Sequence, residues 1–91
     1  MATKWDNISY ILRSRYRLKV LQYLAKLNAP TTPTKLKREL KIDKAHISRA
    51  LKDLIKKNWV ICLTPKVRKT KLFQITESGI SIEKELESVE F

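Results

Sequence analysis

The sequence has few of the residues on which catalytic, metal-binding and disulfide-linked proteins depend. Its 91 residues include one cysteine, Cys62, one histidine, His46, and one glycine, Gly79. One cysteine excludes an internal disulfide and a cysteine-rich zinc site, and one histidine cannot build a metal site alone. One glycine excludes a glycine-rich phosphate loop, and no Ser/His/Asp set suggests a nucleophile. We therefore expect no enzyme, no cofactor and no metal.

Within the apolar run WVICL, Cys62 is either a small buried hydrophobic residue or a redox-sensing thiol.

Long hydrophobic runs are also missing. No uncharged apolar stretch approaches the roughly 18 residues of a membrane span, and MATKWDNISY lacks the apolar core of a signal peptide. At 43% hydrophobic and 32% charged residues, the composition is that of one globular domain. We expect a cytoplasmic protein, associated with the nucleoid, with no membrane partner.

Acidic residues are scarce over most of the chain. The net charge is +11, with 19 Lys and Arg against 4 Asp and Glu in residues 1–75, and 1 against 5 in residues 76–91. This imbalance indicates a polyanionic partner. Nucleic acid is favoured over an anionic membrane because no long basic amphipathic helix is present. The alternative, a thermophile surface rich in both Lys and Glu, predicts charges closer to balance.

Apolar periodicity predicts three helices in the basic part of the chain, after a helical lead-in over residues 1–13 that begins at a cap on Asp6 or Asn7. The first helix covers residues 15–28, and its Arg17 could pair with Asp53. The second is short and starts at Thr32 and Pro33. The third has the clearest apolar stripe and runs from a cap at Asp43 to Asn58.

Two strands and a last helix are predicted after Asn58. The segments WVICL and KLFQI, residues 59–63 and 71–75, are rich in β-branched and aromatic residues. In the first of them, Val60, Cys62 and Thr64 should share one face, and Trp59, Ile61 and Leu63 the other. Thr31–Thr32 could add a short third strand. The last helix is capped by Thr76, and the turn TPKVRKTK between the strands carries four cations.

The order of these elements predicts an α+β winged helix-turn-helix fold. The stretches AHISRALKDLIKKNWV and KLFQITESGISI resemble the pattern vSraLreLeekGlV…YrlTeeG of MarR- and ArsR-like regulators, most closely the small archaeal winged-helix type. The resemblance departs from that pattern at Asn58–Trp59, where the family usually has glycine and a small aliphatic residue. We expect one domain over residues 1–91, with an N-terminal extension (1–13), a winged-helix core (14–75) and a C-terminal helix (76–91).

The resemblance implies binding of double-stranded DNA by the third helix, and elementary geometry agrees, since a helix fits the major groove and reads bases near its N-terminus. The alternative is that this polar face is only solvated. Cations of the second helix and of the turn between the strands are predicted to contact phosphates, and Arg68 could instead enter the minor groove. The predicted base-reading residues are Lys44, Ala45, His46, Ser48, Arg49 and Lys52; the predicted backbone contacts are Thr34, Lys35, Lys37, Arg38, Lys66, Arg68, Lys69 and Lys71.

The resemblance also implies a homodimer, and the two ends of the chain carry more apolar residues than a small core needs. The alternative is that the two ends pack against each other within one chain. The predicted dimer interface comprises Trp5, Ile8, Tyr10, Ile11, Ile82, Leu86, Val89 and Phe91.

Three functions are compatible with this sequence. The first is a sequence-specific transcriptional regulator, the second an architectural DNA- or RNA-binding protein, and the third a winged-helix module that binds proteins. The third is disfavoured by the uncompensated charge on the predicted reading face. No pocket for a small-molecule effector is indicated.

Overall fold

The computed structural model describes residues 4–66 and 71–88, and within them it contains five helices and one two-stranded hairpin. The prediction of an α+β winged helix-turn-helix is confirmed. No helix in this part of the chain is both long and apolar enough to cross a membrane. The elements, in chain order, are α1 (Lys4–Leu12), α2 (Arg15–Leu27), α3 (Pro33–Leu40), α4 (Lys44–Lys56), β1 (Val60–Cys62), β2 (Phe73–Ile75) and α5 (Glu77–Glu87).

Hydroxyl side chains cap three of the helices. The Ser14 hydroxyl accepts a hydrogen bond from the backbone N–H of Arg17 at the start of α2. Thr32 caps α3 in the same way, with Pro33 in the first turn, and Thr76 caps α5 by accepting from Gly79 N–H. These bonds satisfy backbone donors that have no partner inside the helix. The predicted caps at Thr32 and Thr76 are confirmed.

The predicted cap of α1 at Asp6 or Asn7 is wrong, and the predicted cap of α4 at Asp43 is confirmed in position only. Asp6 and Asn7 lie inside α1, which already includes Lys4. Asp43 occupies the position before α4, as predicted, but its side chain makes no capping hydrogen bond. Its carboxylate still lies at the positive end of the helix dipole, which is a favourable place for an anion.

Three helices end at residues in the left-handed backbone conformation, and none of the three is glycine. The φ angles are 46° at Asn28, 55° at Lys41 and 62° at Asn58. Asparagine tolerates this conformation better than most residues, so the two Asn stops were predictable, whereas Lys41 was not. The left-handed residue at Lys41 makes the tight turn between α3 and α4.

The hairpin pairs Val60 with Ile75, Ile61 with Gln74 and Cys62 with Phe73 in antiparallel register. A single bridge joins Thr31 to Phe73 through two backbone hydrogen bonds of 2.9 and 2.8 Å, so the predicted third strand is reduced to one residue. Both strands are shorter than predicted. The Thr64 hydroxyl accepts from Leu72 N–H and closes the ladder beyond β1.

Side-chain alternation in the hairpin agrees with the prediction except at Trp59. Val60 is buried, while Ile61 and Leu63 are 50% and 43% exposed on the other face. The alternation placed Trp59 on the face of Ile61 and Leu63, but it is buried in the core. It precedes the strand and follows the left-handed turn at Asn58, so the two-residue alternation does not extend to it.

The hydrophobic core is formed by α2 and α4 with α1, α3, α5 and the hairpin packed around them. Leu21 and Leu24 of α2 and Ile47 and Leu54 of α4 are fully buried. Helices α1 and α5 also contact each other. The two ends of the chain therefore contribute to the same core.

This packing corrects part of the predicted dimer interface. Ile8, Ile11, Ile82 and Leu86 are 0–5% exposed within the single chain. A side chain that its own fold already covers has no surface to lose to a partner, so these four belong to the intramolecular alternative. Among the others, Trp5 is exposed and Tyr10 is half-buried. Val89 and Phe91 lie outside the described residues.

Gly79 allows α5 to approach the base of the hairpin. A methyl group at this position would overlap the carbonyl oxygen of Trp59 and lie 2.6 Å from Cγ1 of Ile75. The same carbonyl accepts a hydrogen bond from Thr76 N–H. Here glycine is required for close approach and not for an unusual backbone angle.

Candidate nucleic-acid interface

Helix α4 presents one apolar face to the core and one cationic face to solvent. Its apolar stripe (Ile47, Ala50, Leu51 and Leu54) is buried, as the periodicity predicted. On the opposite face Ala45, Arg49 and Lys52 are exposed, and Lys56 continues that face one turn further. This face therefore carries a small residue near its start and cations along the rest of its length.

One edge of α4 faces the hairpin across a cleft of about 510 Å³. The cleft brings together predicted base-reading and predicted backbone-contacting residues, which is the arrangement that a shared nucleic-acid surface needs. Its polar lining residues are Thr32 and Thr34 from the start of α3, Lys44, Ser48 and Lys52 from α4, and Lys71 from the hairpin.

The other edge of α4 packs against the start of α2. The ring of His46 lies 4.2 Å from the ring of Tyr16, centroid to centroid, with the planes inclined by 55°. His46 is exposed, so it remains accessible while it contacts Tyr16. Sequence reasoning missed Tyr16 because only the packing of α2 on α4 places it here.

An ion pair joins α2 to the middle of α4. Arg17 Nε lies 3.0 Å from Oδ2 of Asp53, which confirms the predicted pairing. The same guanidinium donates to the carbonyl oxygen of Tyr10 and stacks over the Tyr10 ring, 4.0 Å from its centroid. Asp53 is the one acid of α4, so this pairing leaves the helix with no uncompensated negative charge.

Tyr10 connects α1 to the Arg17–Asp53 ion pair. Its ring is 4.8 Å from Nζ of Lys57 and meets the ring of Trp59 edge-on at 6.3 Å. Cation–π and edge-to-face contacts of this kind each contribute about 0.5–1.5 kcal/mol. Much of the Tyr10 ring is occupied by contacts within the chain, and its predicted role at a dimer interface stays a prediction.

The remaining predicted backbone contacts are spread over two elements. On α3, Lys37 and Arg38 are exposed, and Lys35 is half-buried beside the Thr32 cap. Lys66 is exposed in the turn after β1. Arg68 and Lys69 lie outside the described residues.

A separate groove of about 630 Å³ lies between α2, α3 and α5 and shares no residue with the cleft. It collects the acids Glu39, Glu83 and Glu87 together with Lys19 and Lys26. Burial, and then the neighbouring Glu87 carboxylate, raise the pKa of Glu83 above its ordinary value of 4.5. Negative charge is thus gathered away from the cationic cleft.

The sequence itself relates the chain to known proteins. Residues 16–88 match the model of the winged helix DNA-binding domain. The chain belongs to that family. In this winged-helix domain α3 and α4 form the helix-turn-helix, and β1 and β2 form the wing. No protein of curated function matches the chain.

Solved MarR structures share the fold and part of the sequence. A mutant MarR from E. coli complexed with operator DNA superimposes with a TM-score of 0.72 and 28% identity, covering 89% of this chain and 58% of that one. Wild-type MarR from E. coli in its apo form gives 0.70 and 30%, covering 79% and 53%. The adhesin competence repressor AdcR from Streptococcus pyogenes, at 22% identity and a TM-score of 0.68, shares the fold. The winged-helix domain is MarR-like and spans a little over half the length of these MarR chains.

Proposed function

We propose that this winged-helix domain is a transcriptional regulator that binds double-stranded DNA in a sequence-specific manner, with α4 in the major groove and the wing on the backbone. The observation that carries the proposal is the exposed face of α4. It presents Arg49 and Lys52 beside small residues, its one acid is paired with Arg17, and the wing lysine Lys71 lies across a shared cleft.

Base reading is assigned to the first half of α4. Arg49 can donate two hydrogen bonds to O6 and N7 of a guanine, which is the commonest specific contact in the major groove. Ser48 and Lys44 can each bond one base edge, and Ala45 can pack on a thymine methyl group. His46 lies at the edge of this surface, against Tyr16, and can reach only the margin of the site.

Backbone binding is assigned to the cleft and the wing. Thr34 at the start of α3 and Lys71 on the wing face the same cleft, so a phosphate seated there would meet a hydroxyl and an ammonium group. Lys37, Arg38 and Lys66 are exposed and add positive charge. Arg68 and Lys69 extend the proposed wing contact. Such contacts give affinity that weakens as the salt concentration rises.

The domain is further proposed to act as a homodimer that uses α1. Trp5 and Leu12 are 64% and 38% exposed and lie two turns apart on α1, which leaves an apolar strip outside the core. Two copies would double the number of base contacts.

Sedimentation at micromolar concentration should show a dimer, and Trp5→Ala combined with Leu12→Ala should give a folded monomer. A wild-type monomer would contradict the dimer but not the DNA contact.

The high net charge of +11 favours one other function, which is architectural binding without sequence preference. Selection of bound duplexes from a random pool separates the two. A regulator should enrich one motif, with two half-sites if it is a dimer, whereas an architectural protein should enrich none.

A further inference from the structure

The phosphate contacts assigned to the cleft lie along one edge of the recognition helix. Lys44, Ser48 and Lys52 face the cleft that also holds Thr34 and Lys71. A helix in the major groove, which is about 12 Å wide, lies between two sugar–phosphate backbones. One edge of α4 should therefore face each strand. The contacts along the cleft serve one strand and leave the other without a partner.

The second edge of α4 is bordered by the start of α2. Two contacts along α4 fix that arrangement. Tyr16 packs against His46 in the first turn of α4, and Arg17 pairs with Asp53 about two turns later. Tyr16 and Arg17 both lie in the first turn of α2, so this end of α2 borders the second edge of α4.

This end of α2 is cationic. Arg13 and Arg15 flank the capping residue Ser14, and both are exposed. Residues 7–38 contain no acid, so neither arginine has an acidic neighbour in sequence. Arg17 differs from both, because its guanidinium is already held by Asp53 and by the Tyr10 carbonyl.

We infer that Arg13 and Arg15 bind backbone phosphates of the second DNA strand, on the α2 edge of α4, and that Tyr16 is a positioning residue that holds them there. The inference rests on the proposed function, because it supplies the other half of the same DNA contact. Phosphate contacts fix register and add affinity without reading sequence. Loss of these arginines should therefore weaken binding to every duplex alike.

The test measures the dissociation constant against salt concentration for the duplex that the wild type selects. Arg13→Ala with Arg15→Ala should reduce the slope of log K against log salt by about two per protomer, at about 0.9 for each phosphate lost. Lys19→Ala with Lys26→Ala is the matched control: both lysines are exposed and line the separate groove, and the slope should not change. Arg13→Lys with Arg15→Lys should keep the slope. An unchanged slope in the double alanine variant would overturn the inference.

Ethylation of single phosphates shows which strand is involved. Within each half-site, ethyl groups that impede the wild type on both strands should impede the double alanine variant on one strand only. Tyr16→Ala should also reduce the slope, although it removes no charge, whereas Tyr16→Phe should not. If Lys71→Ala lowers the slope and the arginine variants do not, the proposed function stands and this inference fails. If the wild type binds no duplex, the proposed function itself fails.

Discussion

Arg17 and Asp53 form an ion pair, with Nε and Oδ2 3.0 Å apart, that joins α2 to α4. Their side chains are 18% and 23% exposed, so water screens the pair only in part. The guanidinium also bonds the Tyr10 carbonyl, so one side chain fixes the relative placement of α1, α2 and α4. The orientation of α4 thus depends on a residue outside it.

Replacement of Arg17 by alanine should destabilise the fold. Asp53 would keep a partly buried charge without its partner, and a hydrogen bond to a charged group contributes about 1.5–3 kcal/mol. Arg15→Ala is the matched control, since Arg15 is exposed and its loss should change the free energy of unfolding by less than about 0.5 kcal/mol. Urea denaturation measures both. Equal effects of the two variants would show that the ion pair contributes nothing to stability.

Gly79→Ala should also destabilise the protein, by about 1–3 kcal/mol, because the new methyl group overlaps the Trp59 carbonyl and the Ile75 side chain. The expected structural response is a shift of α5 away from the base of the wing. Ser78→Ala, at the exposed neighbouring position, serves as the control and should leave the unfolding midpoint nearly unchanged. A Gly79→Ala protein as stable as the wild type would mean that α5 is not held this close to Trp59.

Glu83 should make stability depend on pH. Its pKa is raised in the folded state by burial and by Glu87, so the folded protein binds this proton more readily than the unfolded chain. The destabilisation is therefore absent below the ordinary pKa of 4.5, grows as pH rises towards the folded pKa, and is complete above it. Glu83→Gln should accordingly stabilise the protein near neutral pH and lose that advantage in acid.

Denaturant midpoints at about pH 7 and about pH 4 measure this effect. Glu85→Gln, on the same helix, removes the same formal charge but does not line the groove with Glu87, so it should show no such difference between the two pH values. A gain for Glu83→Gln that is equal at both pH values would point to lost net charge and not to the raised pKa.

Arg49 and Lys71 should affect DNA binding in different ways. Arg49→Ala should cost about 1–3 kcal/mol for the selected site and relax the preference at one base position, because it removes a contact to a base. Lys71→Ala should weaken binding to all sequences and lower the salt slope by about one. Titrations of both variants with the selected duplex and with single-base variants of it separate these effects. A uniform loss with Arg49→Ala would reassign that residue to the backbone.

Local chemistry made much of the fold predictable. Thr32 and Thr76 were identified as caps because hydroxyl groups accept from free helix N–H groups. Asn28 and Asn58 were identified as helix ends because asparagine tolerates the left-handed conformation. The same reasoning failed at Asp6 and Asn7, since α1 already includes Lys4 and a residue with the right side chain caps only where a helix begins.

Tertiary contacts were harder to predict. Periodicity identified the apolar faces of α1 and α5, but it does not say what covers a face, so Ile8 and Leu86 were assigned to a partner when they pack within the chain. Tyr16 was missed for a related reason: it is significant only because α2 crosses α4 at His46. The Arg17–Asp53 pair was predictable because α4 contains a single acid and residues 13–17 contain three arginines.

The most direct test of the central proposal is the ratio of two affinities, measured at physiological salt for the selected duplex and for random duplex of the same length. A sequence-specific regulator should prefer its site by at least about 10³-fold, because base contacts add to a backbone term that all duplexes share. Equal affinity for the two duplexes would contradict base reading by α4. It would mean that this basic protein binds DNA through electrostatic attraction alone, without sequence preference.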